Sequence, residues 1–309
     1  MRMRQGVLVI ASLWGMAGCD DNSEHPNPVV TDLAVAQDMA GPQGQADGLV
    51  PESMSRIRFG NLTPDASPID VCIAPAGTSS FIGNGPLLAA HGLPGGVSYG
   101  NIAFYIDVPA GTVTVRVIAG GATSCATGII PDVTGVGLPG STSLTLVLIG
   151  ETAAAATHPL ALARYIDDSA ATSSLALFRV VHTAPQVGPI NAGTLNAGVF
   201  TTLFSNVAYP QAGSGSGVDA NGYLSAAPFA DGTVLGLQTS ANGTVVTLAT
   251  TLANPPGVPA GGIRTAFVIG GNTTAPIQPL QVLLCGDNIG PAQSNSALAN
   301  CIATPLAAQ

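Results

Sequence analysis

The sequence predicts an all-β protein: two tandem Ig-like or fibronectin-like β-sandwiches that follow a flexible tether. Three observations lead there. Val, Thr, Ala and Leu are dispersed through short segments punctuated by 39 glycines and 24 prolines, the pattern of many short strands joined by turns. No stretch carries a sustained helical period with caps. From about residue 55 onward the chain is a duplication, with corresponding landmarks in the same order in both halves.

The first element is an address. Arg2 and Arg4 precede an uncharged apolar run over 7–17 that closes as Met16-Ala17-Gly18-Cys19. A run of about a dozen residues is too short for a spanning helix, which needs roughly 20, but suits the apolar region of a signal. The arrangement resembles a bacterial lipoprotein signal peptide over 1–18. Cleavage before Cys19 would leave that cysteine to carry lipid, including palmitate, as the membrane anchor. Asp20 follows, and inner and outer membrane both remain open.

Residues 19–54 form the second element. Seven of the 17 acids fall before Ser53, and Asp20-Asp21-Asn22-Ser23-Glu24 and Gly41-Pro42-Gln43-Gly44 lack the apolar surface to order themselves. This is the pattern of a lipid-anchored flexible linker. The chain has no lysine, its eight basic residues are all arginines, and its net charge is −9. A chain so short of cations cannot neutralise a row of phosphates, which excludes nucleic acid as a partner. Membrane attachment must then come from the lipid, because no polybasic patch exists to hold anionic headgroups.

Two repeats follow, over 55–168 and 173–290, and then a C-terminal tail over 291–309. Arg58-Phe59-Gly60-Asn61 aligns on Arg179-Val180-Val181-His182 at an offset of 121 (179 − 58), continuing to Asp70 against Asn191. Tyr105 corresponds to Tyr223, Gly111-Thr112-Val113 to Gly232-Thr233-Val234, and Val147-Leu148-Ile149-Gly150 to Phe267-Val268-Ile269-Gly270. Pro159-Leu160 and Asp167 match Pro279-Leu280 and Asp287. Each copy has the size of a small β-sandwich. In the first copy strands are expected over 56–62, 69–74, 97–101, 112–118, 141–149 and 160–165. Thr112 to Val117 alternates, as a strand with one buried face should. Leu144-Thr145-Leu146-Val147-Leu148-Ile149 is more uniformly apolar, as a central strand covered on both sides should be.

Arg179-Val180-Val181-His182-Thr183-Ala184-Pro185 and Pro64-Asp65-Ala66-Ser67-Pro68-Ile69-Asp70-Val71 resemble two halves of one motif, roughly R-V-V-H-x-S-P-D-A-P-x-V-D-V. It opens a bacterial domain-of-unknown-function family (DUF4397-like) common in exported and surface-anchored proteins, often in tandem. Tyr105-Ile106-Asp107-Val108-Pro109-Ala110-Gly111 is similar to that family's downstream block. The second copy departs from it, with Gln186 and Asn191 in place of aspartates and an inserted loop over 213–217. The resemblance implies a fold and an exported location. It implies no reaction.

Four cysteines remain for the folded part: Cys72, Cys125, Cys285 and Cys301. An exported compartment permits disulfides, and four cysteines allow three connectivities. The favoured set is Cys72–Cys125 within the first copy and Cys285–Cys301 at the end, where it would pin the tail. Metal binding by these thiols is disfavoured, since none has C-x-x-C spacing and no histidine is near.

Candidate chemistry is sparse. Gly96-Val97-Ser98-Tyr99-Gly100 matches the G-x-S-x-G elbow, which needs a strand before and a helix after the serine; here a turn and strand-like residues flank it. His182 takes the place of Asn61, so a polar side chain tying down the following loop explains both. His158 and His182 are available to Ser98, but no helix packs behind it, and His91 sits in Ala90-His91-Gly92, an expected loop. Asp65, Asp70 and Asp107 could supply oxygens to calcium if their loops converged, although local turn hydrogen bonds are the commoner use of such residues. No catalytic residue, cofactor or metal is assigned. The expected function is non-catalytic: a lipid-anchored envelope or cell-surface protein with a structural, adhesive or protein-binding role, partnered by the membrane through its lipid and by an envelope protein or surface ligand. A carbohydrate-binding module is the alternative, weakened because Trp14 is the only tryptophan and lies in the signal. A serine hydrolase is third.

Overall fold

The computed structural model of the chain describes residues 53–153, 156–167, 173–241, 244–251, 257–273, 275–287 and 301–308, all within one compact unit, residues 44–309. The signal segment 1–18, Cys19 and the linker up to residue 52 lie outside the described residues. The first repeat comprises β1 (Met54–Asn61), β2 (Ile69–Pro75), a one-turn helix α1 (Leu87–Ala90), β3 (Asn101–Ile102), β4 (Ile106–Pro109), β5 (Gly111–Ala119), β6 (Val133–Leu138), β7 (Thr142–Ile149) and β8 (Ala161–Asp167). The second comprises β9 (Ala176–His182), β10 (Ile190–Asn196), β11 (Val199–Val207), β12 (Tyr223–Ala226), β13 (Val234–Ala241), β14 (Thr244–Thr251), β15 (Ile263–Ile269), β16 (Gln281–Gly286), β17 (Cys301–Pro305) and β18 (Ala307–Ala308).

Each repeat is a sandwich of two sheets. In the first, an inner sheet runs β3-β1-β7-β8, with β4 sharing the edge of β1, over an outer sheet β2-β5-β6. In the second, the inner sheet is β12-β9-β15-β16-β17 and the outer sheet β11-β10-β13-β14-β18. A parallel pair lies at the centre of both inner sheets: β1 on β7, with Phe59 opposite Leu146, and β9 on β15, with Val180 opposite Ala266.

Side-chain alternation on β1 and β7 shows what each face covers. Ile57, Phe59, Leu144, Leu146 and Leu148 point into the first sandwich core. Val147 and Ile149 point the other way and join Leu62, Ile102 and Tyr165 against Val181, Phe267, Ile269, Leu283 and Cys285 of the second repeat. The inner sheets therefore pack on each other, giving four layers, outer-inner-inner-outer. This is why Leu144 to Ile149 is apolar on both faces but for Thr145: the second cover is the other repeat. On β5 the alternation marks a sheet with one buried face, Val113, Val115 and Val117 inside and Thr112, Thr114 and Arg116 less buried.

Residues 97–101 do not form the expected strand. Val97 bridges to Ile69 in the outer sheet and Tyr99 to Asn61 in the inner one, so this stretch crosses between sheets and runs within neither. Gly96 is required there: at φ 72° a Cβ would meet Ile69 O at 2.2 Å. Nor does the end of the chain trail off as a tail. β17 extends the inner sheet with Cys301 opposite Cys285, and β18 pairs with β14 of the outer sheet.

The repeats diverge where Asn191 replaces Asp70. The buried Asp70 carboxylate accepts from the backbone N–H groups of Leu88 (2.8 Å) and Ala89 (2.9 Å), holding α1 against the edge of β2. Asn191 Oδ1 instead accepts from Asn206 N at 2.8 Å, next to a register shift in the β10–β11 ladder. In the second repeat a strand, β11, therefore stands where the first repeat places a covering helix. Its hairpin turns on Ala197 and Gly198, both at positive φ (47° and 81°), the geometry of a two-residue hairpin loop matched to strand twist.

Cys72 is bonded to Cys125 and Cys285 to Cys301, across separations of 53 and 16 residues. For the shorter loop the chain-entropy model gives about 3 kcal/mol. Cys301→Ser should lower the unfolding free energy by roughly that amount in urea titration and make the last eight residues sensitive to protease. Unchanged stability and unchanged cleavage would show that strand pairing alone holds the C-terminus.

Candidate functional site

The most concentrated chemistry lies between the inner sheets. Arg58 on β1 and Arg179 on β9 are aligned residues of the two repeats, and both are fully buried. Each reaches into the other repeat. Arg58 Nη2 donates to Asp287 Oδ1, just beyond β16, and Arg179 Nη2 donates to Asp167 Oδ1 at the end of β8. Arg58 Nη2 also lies 3.7 Å from Asp167. The exchange is reciprocal, as a pseudo-twofold relation between the repeats requires.

The remaining donors and acceptors follow the same symmetry. Arg58 Nε donates to Thr145 Oγ1 at 2.6 Å and Arg179 Nε to Thr265 Oγ1 at 2.9 Å. Arg58 Nη1 donates to Gly286 O at 2.8 Å and Arg179 Nη1 to Ile166 O at 2.7 Å. Tyr105 donates to Asp167 at 2.7 Å and Tyr223 to Asp287 at 2.8 Å, joined by the hydroxyls of Thr145 and Thr265. The guanidiniums also sit over tyrosine rings, Arg58 at 4.6 Å from the Tyr105 centroid and Arg179 at 4.4 Å from that of Tyr223.

Burial alone would push the Asp167 carboxyl up. The Arg58 and Arg179 charges and the donors from Thr145 and Tyr105 outweigh it and hold Asp167 below the ordinary carboxylate range. Burial likewise opposes charge on both arginines, yet the surrounding tyrosines and carboxylates raise them further. Burial drives Tyr105 and Tyr223 well above the usual phenol range, so both remain neutral donors. Every charge is matched and every guanidinium edge occupied. The arrangement locks two sandwiches together.

A cleft of about 730 Å³ opens along the same seam, lined among others by Asp65, Glu151, His158 and Gln186. Its walls also obey the repeat. Asp65 accepts from Thr152 N (3.0 Å) and Oγ1 (2.7 Å), and Gln186 Oε1 accepts from Thr273 N (2.7 Å) and Oγ1 (2.9 Å). Gln186 Nε2 then donates across the seam to Glu151. The exchange of aspartate for Gln186 thus supplies an amide donor to a carboxylate that a second aspartate would repel. His158 packs against Tyr209 with centroids 4.5 Å apart and the rings tilted by 50°.

The three aspartates that could have met around calcium do not converge. Asp65 binds Thr152, Asp70 binds α1, and Asp107 pairs with Arg56 at 3.6 Å. Among the described residues no group of three or more His, Cys, Asp or Glu side chains is gathered as a metal site. Ser98 is exposed in the crossing segment, and β3 rather than a helix follows it. His182 ties down its loop: Nδ1 accepts from Ala184 N, while Nε2 faces Val187 O and Gly188 O at 3.1 Å. Asn61 does the same with Thr63 N and Ser67 O. Burial lowers the His182 pKa, so the ring stays neutral. Of the five tyrosines, Tyr105, Tyr165 and Tyr223 are buried; Tyr99 and Tyr209 are half-buried and burial pushes each up to about 12.

Fold and seam together define a tandem all-β protein whose repeats share a buried polar core. Residues 55–193 match the model of a domain of unknown function, DUF4397. That stretch, all of the first repeat with β9 and the first half of β10, is similar to that family. No curated protein matches the chain. Nothing in the sequence alone singled out Thr145 and Thr265. The alignment of Arg58, Tyr105 and Asp167 on Arg179, Tyr223 and Asp287 was visible, but the exchange of partners between repeats was not.

Removing one partner of a buried ion pair strands the other charge. Arg58→Met should therefore cost about 3–5 kcal/mol in denaturant unfolding. In a double-mutant cycle with Asp287→Leu the two changes should be coupled by about 0.5–3 kcal/mol; strict additivity would contradict the pairing. The depressed Asp167 pKa makes its stabilisation fully present above the unfolded value of about 4, lost progressively as pH falls through the folded value. Thermal melts from pH 7 to 2 should show stability dropping below about pH 4, and less steeply in Asp167→Asn at matched starting stability.

Proposed function

We propose that the protein is a non-catalytic, lipid-anchored component of the cell envelope, with a structural, adhesive or protein-binding role carried by its paired sandwiches. The observation that supports this most is how its buried ionisable groups are used. Arg58, Arg179, Asp167 and Asp287 saturate one another, which fits a rigid body built to present surfaces. Two disulfides suit an oxidising compartment. Among the described residues no helix is long and apolar enough to cross a membrane, so in this reading attachment falls to lipid on Cys19. At least two acyl chains would give stable anchoring, at about 0.8 kcal/mol per buried methylene.

Cys19→Ala should move the protein from membrane to soluble fractions and abolish acyl labelling; unchanged membrane association would overturn the anchor. Capture from intact envelope with the full chain as bait should recover an envelope protein, and a glycan array should stay silent. A positive array with an empty capture would favour the carbohydrate-binding alternative.

A further inference from the structure

Four carboxylates are buried among the described residues, those of Asp70, Glu151, Asp167 and Asp287, and three of them are well compensated. Asp167 and Asp287 meet the crossing arginines. Asp70 accepts from three backbone N–H groups, of Val71, Leu88 and Ala89. Glu151 is the exception. It is 8% exposed, and among the described residues its carboxylate accepts one hydrogen bond, from Gln186 Nε2 to Oε1, and forms no ion pair. Burying a carboxylate without a counter-charge is costly. The fold does not require one here, since the corresponding residue of the second repeat is Gly271. Glu151 lines the cleft of about 730 Å³ together with a second carboxylate, Asp65, and no arginine is among the lining residues. His158 lines it too, but its ring packs on Tyr209.

We propose that this cleft receives a primary ammonium group, that of a lysine side chain presented by another protein, and that Glu151 is its counter-ion. The inference rests on the protein-binding reading above and names what the partner brings; it does not depend on the lipid anchor. Gln186 takes Glu151 Oε1, which leaves the other oxygen for a ligand. A planar guanidinium pairs best with both oxygens of a carboxylate, whereas an ammonium is a point charge that needs only one. Ala156, Val187 and Ala275 on the walls offer apolar surface to the four-carbon stem, which lysine characteristically lays along such surface while its head group stays polar. The ammonium cannot come from a second copy, because this chain has no lysine. A net charge of −9 also steers a basic partner toward the molecule.

The test titrates the full chain in detergent with the peptide acetyl-Ala-Lys-Ala-amide, at constant ionic strength, by saturation-transfer NMR; acetyl-Ala-norleucine-Ala-amide is the uncharged control. The lysine peptide should bind saturably and the norleucine peptide at least about tenfold more weakly. Glu151→Gln keeps an oxygen for Gln186, so it should leave the unfolding midpoint in place while weakening the lysine peptide by a similar factor. Equal binding of the two peptides to the wild type, lysine binding unchanged in Glu151→Gln, or no saturable binding up to about 50 mM would overturn the proposal. Capture from intact envelope separates this inference from the reading beneath it. A partner recovered equally by wild type and Glu151→Gln would sink the lysine site and leave the protein-binding role standing. An empty capture beside Glu151-dependent peptide binding would remove that role and leave the cleft's preference for an ammonium group.

Discussion

Two arginines that cross between repeats govern this structure. Taking a guanidinium and a carboxylate out of water costs several kcal/mol per ion even after relaxation, and here four such ions are buried together. The arrangement survives because each is saturated. Every guanidinium has a threonine hydroxyl, a backbone carbonyl, a carboxylate and a tyrosine face, and every carboxylate has a tyrosine, a threonine and an arginine. Taking one member away would leave charge without compensation on both sides of the seam. The network therefore makes the two sandwiches interdependent.

Several separate features become one on that basis. The largely apolar second half of β7 is flanked by its own core on one side and by Phe267 and Ile269 of the other repeat on its far side. Gln186 reaching Glu151 adds a second polar lock at the cleft. The disulfide at Cys285 draws β17 onto the inner sheet next to Asp287.

Much of this was legible in the residues. Alternation on β5 and the nearly constant offset of 118–121 between corresponding landmarks pointed to the strands and the duplication, because period-two patterning and repeat spacing are local properties. The shared role of Asn61 and His182 was also readable, since both bind the loop that follows them within six residues. The crossing at 97–101 was not: its extended backbone looks like a strand until one knows that its two ends belong to different sheets. Residues 301–308 read as a tail because their partners, β16 and β14, lie far back in the chain.

The sequence by itself determined the β class, the repeat and the residues that recur in it, Arg58, Tyr105 and Asp167 with their counterparts Arg179, Tyr223 and Asp287. Only the tertiary structure decided who pairs with whom. A local pattern can require that an arginine and an aspartate be kept in each repeat. It cannot reveal that each arginine finds its carboxylate in the other repeat, because that choice is made by the packing of one inner sheet on the other, over separations of 229 residues in one direction and 12 in the other.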